Sequence, residues 1–240
     1  MTQIEIITAV KKYRSERQHQ AAFDLLQANL DSTEHRSLLF ENHPIWWSDI
    51  NTGICQLSRR SGNDIDFVRK VWNQKDFIYS FHRHANYLPT DNETLFELLE
   101  KEYLSSVGES HAIHWIVKDR HGKPWGLLSI TGISQLHKRA EVLLGVLEIA
   151  PIGLSTAAML MLFQFYFKAI KFNKLQTFVY EDNPHSLKGT LHLGFKEEGR
   201  LRKHVLDPRS NKYIDLIQTG LLAEDAFTES NKRLMNRLLG

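Results

Sequence analysis

The stretch LEIAPIGLSTAAMLMLFQFYFKAIKF, Leu147 to Phe172, constrains this chain more than any other. An apolar strand runs into a turn of small residues and then into a long apolar helix. Such a turn leaves free backbone N–H groups at the helix start, and the helix dipole makes that spot attractive to an anion, phosphate above all. Ile149 to Phe167 carries no charge and has the length of a bilayer span. Pro151 and Gly153 interrupt its start, Ser155, Thr156 and Gln164 are polar, and a strand leads directly into it. The expectation is a buried central helix and no membrane association.

The surroundings read as alternating elements. Ile54-Cys55-Gln56-Leu57-Ser58-Arg59-Arg60 is a strand candidate, followed by a helix with Ile65, Phe67, Val68, Val71 and Trp72 on its apolar side. Asp91 or Asn92 caps a second helix expected to bury Leu95, Phe96, Leu98, Leu99 and Tyr103. Between them FIYSFHRHANYLP, rich in aromatic and imidazole groups, reads as a binding loop. HAIHWIVKD and PWGLLSITGIS, joined at Arg120-His121-Gly122-Lys123, predict a hairpin, and AEVLLGVLEI a third adjacent strand. LQTFVY is a strand, NPHSLKGTLHLG a helix, and EEGRLRKHVL with KYIDLIQTGLL a last hairpin.

These elements place three segments along the chain: a helical N-terminal extension over 1–53, a core domain over 54–223 and an amphipathic C-terminal helix over 224–240. The extension carries two helical patterns and is a candidate surface for a protein partner or a second copy of the chain. Trp46 and Trp47 read as anchors that hold it against the core. With 30 basic and 28 acidic residues the formal charge is +2, too small a field to steer nucleic acid. One cysteine, Cys55, excludes an intrachain disulfide framework, and a reducing cytoplasm is the expected location. No metal site is expected: His111 and His114 lie three apart on a strand and so face opposite sides, and His82 and His84 have no further ligand at a suitable spacing.

Residues 54 to about 223 resemble the GNAT acetyltransferase superfamily in the order of their elements. AEVLLGVLEIAPIGLSTAAM resembles the strand, pyrophosphate loop and helix that bind acetyl-CoA there. EDNPHSLKGTLHLGFKEEGRLRKHV with KYIDLIQTGLLAED resembles the ribosomal-protein alanine acetyltransferase branch, which includes amino-sugar acetyltransferases. The fold class this implies is α+β: a mixed, largely antiparallel sheet flanked by helices. The implied activity is transfer of acetyl to a primary amine, on an amino sugar, a sugar nucleotide or a protein N-terminus, by direct attack in a ternary complex. The implied cofactor set is Leu147, Glu148 and Ile149 at the strand end, Ile152, Gly153, Leu154, Ser155 and Thr156 in the loop, and Asn183 and Ser186 beyond it. The family pattern across the loop is Arg or Gln, Gly, any residue, then Gly or Ala, so Ile152 stands where a long polar side chain is usual.

For the chemistry, Glu141 is the candidate general base and Glu148 its rival; seven positions apart, they face opposite sides of a regular strand. Ser186 is the candidate proton donor to the thiolate, with Tyr180 in reserve. Tyr79, His82, Arg83, His84 and Tyr87 are candidates for the acceptor pocket, and Arg200, Arg202 or Lys203 for a sugar-nucleotide phosphate. Two other readings compete. One is a non-catalytic GNAT-like scaffold with a degraded cofactor loop. The other is a serine hydrolase, because Gly153-Leu154-Ser155-Thr156-Ala157 resembles a nucleophile elbow; that needs a parallel sheet, which the flanking hairpins argue against.

Overall fold

Eight strands build one sheet, and the order in which they pair decides where a ligand can enter. The structure is a computed structural model and describes residues 2–84 and 88–240. The N-terminal segment is helical: α1 (Gln3–Ser15), α2 (His19–Asn29) and α3 (Arg36–Glu41). α1 starts at a reciprocal cap in which Thr2 Oγ1 accepts the Glu5 N–H and the Glu5 carboxylate accepts the Thr2 N–H. Ile6 and Val10 of α1 meet Ala22 and Leu26 of α2 in a small core of their own. A 3₁₀ turn, Pro44–Trp47, then drives both tryptophans inward. Trp46 is 1% exposed and donates its indole N–H to Phe40 O at 2.7 Å, while Trp47 donates to Tyr103 O at 2.7 Å. Each ring buries its apolar body and satisfies its donor.

The sheet begins earlier than the sequence suggests. β1 (Ile50–Thr52) pairs with β2 (Cys55–Arg59) in a hairpin turned at Gly53, whose φ of +46° favours glycine. Four helices follow, α4 (Ile65–Trp72), α5 (Lys75–Phe81), α6 (Asn92–Leu104) and α7 (Val107–Ser110). The expected aromatic loop is thus partly helical. Phe77 and Phe81 stack one turn apart at 5.5 Å, and both press on Gly145, where an added Cβ would lie 2.7 Å from Phe81 and 2.8 Å from Phe77. A bare glycine on the sheet gives α5 its seat.

β3 (Ile113–Asp119), β4 (Pro124–Ser134) and β5 (Arg139–Val146) form an antiparallel meander. α8 (Leu154–Phe163) continues as a π-helical segment, Gln164–Ala169, and leads to β6 (Lys174–Tyr180). α9 (Pro184–His192), β7 (Lys196–Leu206), β8 (Tyr213–Leu222) and α10 (Glu229–Leu238) complete the chain. The strand order is β1-β2-β3-β4-β5-β6-β8-β7, and among the described residues only the β5–β6 pair is parallel. The larger core lies on the face covered by α8, which is buried from Ala157 through Phe163. The opposite face holds Phe67, Val68, Val71, Leu95 and Leu99 of α4 and α6 against Ile116 and Leu127. Among the described residues no helix is long and apolar enough to cross a membrane; a helix apolar all round is here the centre of a core.

The fold makes Trp46 a keystone between the N-terminal helices and the main core, where it meets Phe40 and Phe165 edge-on. Trp46→Ala is expected to cost about 3–5 kcal/mol in a denaturant titration. Leu136→Ala, at a side chain 85% exposed, is expected to stay within about 0.5 kcal/mol of wild type.

Candidate active site

The two strands at the centre of the sheet pair for only three residues. Arg139 lies opposite Lys174, Ala140 opposite Leu175 and Glu141 opposite Gln176; β5 then continues against β4 to Val146, while β6 continues against β8 to Tyr180. Beyond Glu141 the strands part, and alternate backbone N–H and C=O groups of β5 point into the gap. A bulge sits at the branch point. Thr131 pairs with Glu141 and Ser134 with Arg139, so β4 carries one residue more than β5, and Gly132 absorbs the excess at φ +57°. Bulges of this kind bend a strand and re-aim its side chains.

The turn after β5 brings a helix N-terminus to the mouth of this gap. β5 ends at Val146, before the residues expected to finish it. Leu147 N–H extends the ladder to Trp125 O at 2.8 Å, Ala150 N–H turns back onto Leu147 O at 2.9 Å, and Pro151 prevents further pairing. Leu147 is therefore a buried residue whose N–H is already used, and Glu148 and Ile149 are exposed in the turn. Two-residue alternation turns the backbone of Val142, Leu144 and Val146 toward the gap, while Leu147 N–H faces β4. Gly153 starts α8 at φ +86°, and among the described residues no side chain caps that helix. Leu154 N–H returns to Pro151 O at 3.1 Å and its side chain is 1% exposed, so Leu154 contributes backbone and core. Ser155 is exposed and Thr156 half-buried, beside a set of donors that the helix cannot satisfy from within. Ile152 is 100% exposed. Its side chain lies in solvent and does not fill the cradle, so a pyrophosphate fits the turn although the usual polar residue is missing.

Glu141 is half-buried at the branch point, and burial raises its carboxyl from the ordinary value. Two-residue alternation puts it on the same face as Gly145, under α5. Of the two candidate bases, only Glu141 is on the strand. Across the gap stands Tyr180, the last residue of β6. Burial raises its phenol, the charge of Glu141 adds to that, and the hydroxyl accepts the Arg83 backbone N–H at 3.3 Å. The phenol's own proton therefore stays on and points away from Arg83.

Behind Tyr180 is a latch that the sequence did not reveal. The guanidiniums and rings of Arg209, Tyr79, Arg83 and Tyr180 alternate in a stack with separations of 3.8, 4.0 and 4.0 Å. Arg83 is 8% exposed and binds both oxygens of Asp182, one at 2.9 Å, and Asp207 at 3.3 Å. Burial opposes its charge, but these carboxylates outweigh it and raise the guanidinium further. Asp207 falls far below the carboxylate range, chiefly through the Ser210 hydroxyl. Arg83 is thus a strut, and Tyr79, held between two arginines with its hydroxyl 3.4 Å from Asp182, belongs to the same strut. His82 and His84 are exposed, and Tyr87 lies outside the described residues. Asn183 caps α9 by accepting the Ser186 N–H at 3.0 Å, with Pro184 at the first helical position, and Ser186 itself is exposed on the first turn beyond β6. Among the described residues no group of three His, Cys, Asp or Glu side chains is arranged to hold a metal ion. Arg83→Met strands two carboxylates, and is expected to cost about 3–5 kcal/mol and to speed amide exchange through α5, read by hydrogen–deuterium exchange.

No model of a known protein family matches the chain, and no curated protein matches it in sequence. Solved structures do match. A spermidine N-acetyltransferase from Vibrio cholerae in complex with CoA and spermine is 19% identical with a TM-score of 0.62, covering 72% of this chain and 98% of that one. A mutant form of the Vibrio cholerae enzyme is 18% identical with a TM-score of 0.61, covering 73% and 98%. A candidate acetyltransferase from T. thermophilus is 21% identical with a TM-score of 0.62, covering 80% and 97%. With its parted β5 and β6 and its mostly antiparallel sheet, the chain has the fold of the GNAT acetyltransferases.

Proposed function

We propose that the chain is an N-acetyltransferase that moves acetyl from acetyl-CoA to a primary amine by direct attack. The observation that carries this reading is the half-buried Glu141 at the point where β5 and β6 part, on the strand that leads into the uncapped start of α8. The N–H groups of Gly153, Ser155 and Thr156 would hold the pyrophosphate, and the free edge of Val142 to Val146 would hold the pantetheine arm. Acetyl-CoA, when bound, supplies the activated acyl group.

The residues of the chain supply the rest. An amine reaches neutral pH protonated and must lose that proton before it can attack. Glu141, its carboxylate made more basic by burial, takes the proton directly or through a water. Alternate backbone N–H groups of β5 would donate to the thioester carbonyl oxygen as it gains negative charge. Tyr180, kept in its phenol form, and Ser186, at the first turn of α9, are the two hydroxyls at the mouth of the gap that could return a proton to the thiolate. Holding amine and thioester together between these groups provides much of the rate.

The acceptor remains a primary amine of one of three kinds. The Vibrio cholerae neighbour was solved with spermine, which brings polyamines beside the amino sugars and N-terminal peptides that the sequence resemblance suggests. The basic strand offered for a sugar-nucleotide phosphate is less free than its sequence implies, since Arg200 pairs with Glu181 at 3.2 Å and Asp215 at 3.1 Å. An assay of acetyl-CoA consumption with polyamines, amino sugars and N-terminal peptides tests the reading; absence of turnover with every class, together with absence of acetyl-CoA binding in calorimetry, would leave the scaffold alternative.

Glu141→Gln is expected to lower kcat about 10²–10⁴-fold with acetyl-CoA affinity unchanged. The pH profile follows in sign from the raised carboxyl. Wild-type kcat/KM climbs with pH through a value above that of a free glutamate, about 4.3, and the variant lacks this limb. A raised folded-state value favours the protonated fold, so this contribution to stability is present at low pH and is lost as pH rises through the folded value. Relative to Glu141→Gln, the wild type therefore loses stability over that window in pH-dependent melts.

A further inference from the structure

A second cleft lies on the far side of β3 and β4 from the gap described above. β1 covers β2 only as far as Leu57, opposite Ile50, so Ser58 and Arg59 extend past the hairpin at an open sheet edge. There the N-terminal helices, α6 and β3 converge on a cavity of 400 Å³ whose walls include Arg17, Trp47, Asp49, Arg59, Tyr103 and Lys118. That is the volume of a small-molecule site.

Arg59 is the unusual member. It is 7% exposed, yet its side chain hydrogen-bonds two backbone carbonyls, His114 O at 3.2 Å and Tyr103 O at 3.5 Å, lies 5.7 Å from the Tyr103 ring centroid, and has no hydrogen-bond partner for its Nε–H among the described residues. Nearby carboxylates are occupied elsewhere. Glu102 pairs with Arg60, and Asp49 accepts the Arg59 backbone N–H at 3.0 Å. Burial depresses the guanidinium to about 10. A charge taken out of water without a paired anion costs several kcal/mol, and among the described residues no carboxylate is paired with this guanidinium, so the position calls for an anion. The guanidinium fork suits a carboxylate or a phosphate. Arg17, stacked on Tyr103 at 4.5 Å, and Lys118 add positive charge on either side. Asp49 and Asp64 also line the cavity, and burial raises the Asp64 carboxyl. Two carboxylates repel a dianion but accept hydrogen bonds from an ammonium or hydroxyl.

We propose that this cleft is a second ligand site, separate from the acetyl-transfer gap, and that it takes a small carboxylic acid bearing an ammonium or hydroxyl group, with the carboxylate on Arg59. Trp47 and Tyr103 wall the cavity with rings, and Trp47 is itself stacked on His19 of α2 at 4.5 Å. The occupant therefore ties the N-terminal helices to the sheet.

Thermal melts with the amino acids, lactate and inorganic phosphate as probes, at constant ionic strength, test it. At about 10 mM, one or more of the carboxylates raises Tm saturably by at least about 2 °C while phosphate does not. Arg59→Met abolishes the response, and Lys118→Met, a half-buried residue outside the core, weakens the apparent affinity about tenfold and leaves acetyl-CoA calorimetry unchanged. If Arg59→Met does not fold, Lys118→Met decides alone. The proposal is overturned if no carboxylate shifts the melt, if phosphate alone does, or if wild type and Lys118→Met respond identically.

Discussion

The three-residue pairing of β5 with β6 is the constraint on which the rest of this molecule depends. Were the two strands paired along their length, the sheet would be continuous and would have no entrance. Instead each strand is captured by its antiparallel neighbour, β5 by β4 and β6 by β8, over many more residues than they share with each other. The extra residue at Gly132 bends β4 beside the branch point. The gap is therefore not a local loosening. It follows from pairing energy spent on the outer ladders.

Burial and charge then divide the work of holding the gap open. On one face α8, apolar on every side, fills the space below the parting strands and starts from a turn too short to cap itself. On the other face α5 rests on Gly145, and the stack from Arg209 to Tyr180 ties that helix to the ends of β6 and β7. The buried ion pairs of Arg83 contribute definition more than net stability, because desolvation offsets much of their attraction. What they define is the position of Tyr180 opposite Glu141.

Much of this was legible in the sequence where the signal is local. Alternation over Ile113 to Asp119 and Pro124 to Ser134, with the glycine turn between, announced the hairpin, and the unbroken apolar run after Gly153 announced the central helix. Glu141 was singled out by the family resemblance, and its place at the branch point came only from the pairing of β5 with β6. β1 escaped because Ile50-Asn51-Thr52 is too short to show a period, and α5 because its aromatics and polar groups look like a loop until Gly145 is placed beneath them. The strand end was set too late, since the apolar run on to Ile149 hides the turn that Ala150 N–H closes onto Leu147 O. The latch joins positions 79, 83, 180, 182, 207 and 209, and the Arg59 cleft joins positions from 17 to 118; both arise from long-range pairing, which no spacing rule encodes.

Hydrogen–deuterium exchange with and without acetyl-CoA tests the central claim most directly, because it asks where the cofactor sits rather than whether it binds. The account predicts added protection at Gly153 to Thr156 and along Val142 to Val146, the uncapped helix start and the free strand edge. Saturating acetyl-CoA with no change at either segment, or with protection confined to other parts of the chain, would contradict it.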